Sequence, residues 1–151
     1  KIYFEAGGGG NSYESYTAAW WIGAKQTKLD CWKRGKKGII ITLGDEPLNP
    51  YLPISSLGNI VGNVFQNTKN IDTIELYNEV KEKYDIYHIA VDDSHTSYKW
   101  YVDRINESFG KLLGNNLKVS TINALSVTIA SIIKESVNKQ TTENISTEIS
   151  W

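Results

Sequence analysis

Several carboxylates follow directly on apolar runs. Gly38-Ile39-Ile40-Ile41-Thr42-Leu43 leads into Gly44-Asp45-Glu46-Pro47, and Asp85-Ile86-Tyr87-His88-Ile89-Ala90-Val91 leads into Asp92-Asp93. A carboxylate just past a buried strand is placed to hold a hard cation, directly or through water. An aspartate in such a turn serves equally well as a turn or cap residue. Spacing leaves both roles open for Asp45, and Glu46 is expected in solvent. Asp92, Ser94 and Thr96 form D-x-S-x-T, a short pattern close to a metal-dependent adhesion loop, though a polar loop with a helix cap accounts for it more simply. Asp45, Glu46, Asp92 and Asp93 on adjacent strand ends would also suit a metal-dependent phosphoryl-transfer enzyme. No recognisable nucleophile–base pair accompanies them, so no enzyme activity is expected. The chain has two histidines, too few for a three-imidazole zinc site.

Two further stretches have chemical potential. Gly7 to Gly10 precede Asn11, and glycine-rich turns before a helix can hold an anion on backbone N–H groups. The stretch has neither G-x-x-x-x-G-K-[ST] nor G-x-G-x-x-G, which favours a tight strand-to-helix turn. Residues 25–37 interleave Trp32 with Lys25, Lys28, Lys33, Arg34, Lys36 and Lys37. Basic plus aromatic is the form of a single-stranded nucleic-acid surface. A solvated loop accounts for it more simply, so nucleic acid is an alternative partner rather than the expected one. His88, inside a strand, is expected to be a packed histidine.

These residues need elements to hold them. Lys1 to Ala6 reads as a strand. Asn11 and Glu14 stand at capping-box spacing before a helix running to about Gln26. Trp20 and Trp21 are adjacent there and are not expected to face the same core, so one should meet a neighbouring element or solvent. The uninterrupted Ile39-Ile40-Ile41 run suits a strand covered on both faces. A short helix is possible over 56–65. Asp72 with Glu75 opens a helix whose expected face is Ile74, Tyr77, Val80, Lys81 and Tyr84. After the strand over 85–91, a helix is predicted over 98–113, a short strand over 117–119 and a last helix to about Val137. Residues 138–151 are polar and are expected to be a mobile tail. Strand and helix alternate throughout, which predicts a mostly parallel sheet with helices on both faces. In such sheets ligands gather at the carboxyl ends of the strands.

Composition sets outer bounds. The 151 residues fit one domain, with 40% hydrophobic and 22% charged residues and net charge −1. That balance gives no bulk attraction to nucleic acid or anionic membrane. No run reaches the ~18 apolar residues of a membrane span. Cys31 stands alone, which excludes an internal disulfide and suits a reducing, cytoplasmic setting. The chain has no methionine and opens on Lys1, so upstream sequence is expected.

Four segments carry a resemblance. Gly8-Gly9-Gly10-Asn11-Ser12-Tyr13-Glu14 with Ala18-Ala19-Trp20 resembles the "GGGD-x-P-E … A-L" turn and helix of bacterial von Willebrand factor A-like domains. Ile39 to Pro47 is similar to the family's hydrophobic strand followed by T-D-x-P. Asp72 to Val91 is similar to its helix and "Y-x-I-x-V" strand. Trp100 with Leu112-Leu113-Gly114-Asn115-Asn116 resembles its closing segment. The resemblance spans roughly residues 1–136, leaving 1–137 as the carboxyl-terminal part of such a domain. It implies a three-layer α/β/α sandwich with a mostly parallel sheet, and a protein-binding module with a regulatory or scaffold role in a multi-protein assembly. Within the family's metal site, Asp45 matches the third-loop aspartate. The second-loop threonine falls at Gly10, which lacks a hydroxyl, and the first strand with D-x-S-x-S would precede Lys1. The implied Mg²⁺ site is therefore weak or degenerate, with Asp45 and Asn11 as ligands. The implied partner contacts are Gly10, Ser12, Glu46 and Asp92.

Overall fold

The computed structural model describes residues 16–54, 57, 69–91 and 98–148. The expected strand over 1–6, the glycine turn, the helix over 56–65 apart from Leu57, and the Asp92 loop lie outside them.

Helix α1 spans Tyr16–Gln26 and carries Lys25 in its last turn, where a positive charge suits the helix carboxyl end. A 3-10 turn, Asp30–Arg34, closes on Gly35, whose φ of 66° is readily adopted by glycine. Strand β1 follows at Gly38–Gly44. A two-stranded antiparallel ribbon joins β2 (Tyr51–Leu52) to β3 (Ile71–Asp72). Asp72 then caps helix α2 (Thr73–Val80), its carboxylate accepting from the N–H groups of Ile74 and Glu75 at 2.8 and 3.0 Å. Strand β4 spans Tyr84–Val91. Helix α3 (Tyr98–Ile105) continues through a π-helical segment, Asn106–Gly110, and an α turn, Lys111–Leu113. Strand β5 spans Leu117–Ser120, and helix α4 runs Leu125–Glu148.

The fold is α/β. The sheet is parallel and ordered β1-β4-β5. Gly38 pairs with Tyr84, Thr42 with His88 and Gly44 with Ala90; His88 pairs onward with Leu117 and Val91 with Ser120. The strands expected from the Ile39–Ile41 run and over 85–91 are found, and they are parallel neighbours. Successive side chains of β4 point to opposite faces. Tyr84, Ile86 and Ala90 join a core with α1, α2, Phe109 and Leu113. Tyr87 and Ile89 meet Ile132 of α4, with Ile39 and Ile41 beside them.

Four expectations are corrected. Trp20 and Trp21 are both buried in one core cluster. α1 packs on the sheet by one side and against α2 and β2 by another, so two adjacent indoles both find cover. In α2 the buried residues are Thr73, Leu76 and Val80, and Ile74 is exposed. The helix meets α1 along a stripe rotated from the expected one. α4 does not stop near Val137 but continues to Glu148. Its polar Gln140 is tied to Lys37 and Asp85, so polarity here marks anchoring to the sheet's amino-terminal edge. Finally, Ile39, Ile40 and Ile41 of β1 are half-buried rather than closed off, although α1 lies over one face and α4 over the other; among the described residues β1 has a strand neighbour on one flank only.

Candidate functional site

The carboxyl ends of the parallel strands form the edge where the sequence places its chemistry. β1 delivers Gly44, Asp45 and Glu46 there. Asp45 is exposed. Glu46 is half-buried with Oε2 turned out of solvent, against the expectation of a solvated side chain. Gly10, Asn11, Ser12 and Asp92 lie outside the described residues, so only Asp45 and Glu46 of the predicted set are placed.

Beneath this turn lies a buried aromatic and polar cluster. His88, fully buried in β4, stacks on Phe109 with centroids 3.8 Å apart and planes 6° from parallel. Tyr16, at the start of α1, meets His88 edge-on at 4.9 Å and Phe109 at 5.5 Å. His88 Nδ1 lies 2.9 Å from Thr42 Oγ1, whose hydroxyl donates to the Tyr87 carbonyl at 3.3 Å. A threonine hydroxyl has one proton, so both bonds form together only when Nδ1 carries the imidazole hydrogen. Nε2 is then a bare lone pair, with no hydrogen-bond partner among the described residues. Burial pushes the His88 pKa down to about 4, opposed in part by the Gly44 backbone. His88 is accordingly a neutral core residue.

The acidic turn is fastened from both sides. A Cβ at Gly44 would overlap the Tyr16 phenol, so β1 ends on glycine to let that ring close over it. The Leu48 N–H donates to Ser108 Oγ at 3.1 Å, and that hydroxyl donates to the Arg104 carbonyl at 2.9 Å. The π-helical segment carrying Ser108 and Phe109 therefore supports the turn after β1. The sequence reading missed Tyr16, Ser108 and Phe109. Only the aromatic character of two of them hinted at a role, and that hint fits any core residue.

Among the described residues, no group of three or more His, Cys, Asp or Glu side chains gathers as a metal ion requires. Asp45 supplies one exposed carboxylate, whereas octahedral Mg²⁺ takes six oxygens in all. The described residues alone therefore do not fit a Mg²⁺ site.

No family model matches the chain, and no curated protein or solved structure matches it.

The basic stretch is largely spent on internal contacts. Lys25 pairs with Glu79, and Asp30 with Lys33 at 2.9 Å and Arg34 at 3.9 Å. Lys36 donates to the Gln140 carbonyl at 3.2 Å and Lys37 to the Lys81 carbonyl at 2.6 Å. Trp32 donates to the Lys83 carbonyl at 3.1 Å and meets Tyr84 edge-on at 5.5 Å. Its ring is thus turned to the protein, where a base-stacking platform would face solvent. Among the described residues, no helix is long and apolar enough to cross a membrane.

Proposed function

We propose that the chain is a protein-interaction module of the von Willebrand A type, a three-layer α/β/α sandwich that docks another protein at the carboxyl ends of its strands. The observation that carries this reading is the parallel β1-β4-β5 sheet with its carboxyl-end turn braced from below and Asp45 presented to solvent. A braced turn offers a partner a surface with little ordering cost on binding. The segment resemblance supports the same reading, and the alternation of apolar contacts between α1 and α4 along β4 suits the sandwich. The module acts as a regulatory or scaffold component without hydrolase or transferase activity of its own. Recognition rests on side chains and backbone of this edge, with Asp45 and Glu46 as contacts and Gly10, Asn11, Ser12 and Asp92 expected beside them.

Site-specific photo-crosslinking tests the reading. A photoreactive residue at position 45 should trap a discrete protein in the native host extract. The same residue at position 81, at the opposite edge, should not. Equal adducts from both positions, or none from position 45, would reject the carboxyl edge as the docking surface.

A further inference from the structure

Cations converge on the amino-terminal edge of the sheet, at the end of β1 away from Asp45. β1 and β4 start there side by side, with Gly38 paired to Tyr84, so the segments that precede them lie together. Residues 33–37 bring Lys33, Arg34, Lys36 and Lys37, and the turn between α2 and β4 brings Lys81 and Lys83. Three bonds join the two segments. The Gly38 N–H and Trp32 Nε1 both donate to the Lys83 carbonyl, at 2.9 and 3.1 Å, and Lys37 Nζ donates to the Lys81 carbonyl at 2.6 Å. Like charges gathered in this way repel one another, and an anionic partner relieves that repulsion.

The internal contacts of four of these lysines fix the ammonium groups without neutralising them. Lys36 donates to the Gln140 carbonyl and Lys37 to the Lys81 carbonyl. Lys81 lies over the Tyr77 ring and Lys83 over the Trp32 ring, 5.6 and 5.5 Å from the centroids. Carbonyls and ring faces carry no net charge, and an ammonium has three donors, so each keeps its full charge and donors to spare. The carboxylates of this edge are committed or outnumbered. Asp30 pairs with Lys33 and Arg34, Asp85 accepts from Ser136 and Gln140, and Glu82 is exposed between Lys81 and Lys83. By contrast Lys118, on β5, is paired with Glu135.

The composition of the edge selects the anion. Five of the six cations are lysines. Lysine meets phosphate as a point charge, whereas carboxylates are matched by the planar fork of arginine. The two tips read Lys-Arg-Gly-Lys-Lys and Lys-Glu-Lys, without an apolar side chain to enter a bilayer. Trp32 is turned to Tyr84 and so is no platform for an unpaired base. A duplex needs neither feature, and it presents one phosphate charge per about 1.7 Å of its axis, so several cations engage it at once. We propose that this edge holds the phosphate backbone of a nucleic-acid duplex, by charge and without reading base sequence. At net charge −1 the whole chain exerts no such pull; the edge does so locally.

Fluorescence anisotropy of the full chain with a labelled DNA duplex of about 20 base pairs tests this without any protein partner. Affinity should fall steeply between about 50 and 200 mM salt, with a log–log slope of about −3 to −5. Lys81→Gln with Lys83→Gln, both exposed side chains, should weaken binding about tenfold and reduce the slope by about 2. Lys81→Arg with Lys83→Arg should retain it. Lys111→Gln with Lys118→Gln, the same loss of charge on the β5 side, should change affinity by less than about threefold. Absence of duplex binding at the lowest salt, a flat salt dependence, or equal losses from the two glutamine pairs overturns the proposal. Tighter binding of the single strand, or of phosphatidylcholine vesicles with about 30% phosphatidylserine, overturns it too and assigns the edge to that partner. The wild-type slope and these competitors decide the matter even if a variant unfolds.

Discussion

β1 and β4 lie side by side in one register and carry comparable apolar runs, yet they sit differently in the molecule. In β4 every residue from Ile86 to Ala90 is buried, whereas Ile39, Ile40 and Ile41 of β1 are only half-buried. Among the described residues, β4 has a strand on each flank and β1 has one. Three isoleucines in a row announce a strand with two covered faces; they say nothing about how many neighbours it has. Burial in a sheet comes from flanks as well as faces, and flank cover is a property of topology that no local run encodes.

The comparison breaks most readily at paired truncations. Ile89→Ala empties a fully buried site between α4 and the sheet and should cost about 3–4 kcal/mol in urea unfolding. Ile40→Ala, on the half-buried strand, should cost about 1 kcal/mol. Equal losses would mean that β1 is as enclosed as β4.

A second break uses pH. His88 has its pKa lowered from 6.5 to about 4, so between those values the unfolded chain binds the proton more readily. Its contribution is full above the unfolded pKa, declines as pH falls, and is exhausted near the folded value. The loss amounts to about 3 kcal/mol by linkage. Urea midpoints across pH 4 to 7 should show this slope in the wild type, and His88→Gln should flatten it. An unchanged slope in the variant would place the proton uptake elsewhere. At the exposed end of β1 the smallest effect is expected. Asp45→Ala should leave stability within about 0.5 kcal/mol in the same assay, as befits a solvent-facing turn residue. A larger loss would make Asp45 a structural cap and remove it from the docking surface.

Much of the sheet was legible in the sequence because its strands are long apolar runs bounded by glycine or acidic turns. The Asp72 cap was legible because its chemistry is local. What escaped depends on distant cover. Trp20 is buried because Tyr77 of α2 and Phe109 close over it, and Ile74 is exposed because α2 turns Leu76 and Val80 to the core. Of the candidate site, Asp45 could be found from its place after β1. The cluster supporting it could not. Tyr16, Thr42, His88 and Phe109 come from four separate segments, and only the register of β1 against β4 with the path of α3 brings them together.

That register has its own problem. A run of identical side chains carries no phase, so Ile39-Ile40-Ile41 fits β4 almost as well when shifted along it, and an apolar pattern alone specifies such a strand weakly. The Gln140 side chain supplies what the isoleucines lack: it accepts from the Lys37 N–H at 3.2 Å and donates to Asp85 Oδ2 at 3.0 Å, spanning the starts of both strands. Thr42 and His88 make a second mark near the other end. Two polar pins, one at each end of a featureless stretch, act as the index lines of a vernier: a slip by any whole number of residues misaligns both at once. The greasiest strand in the molecule owes its alignment to its polar neighbours.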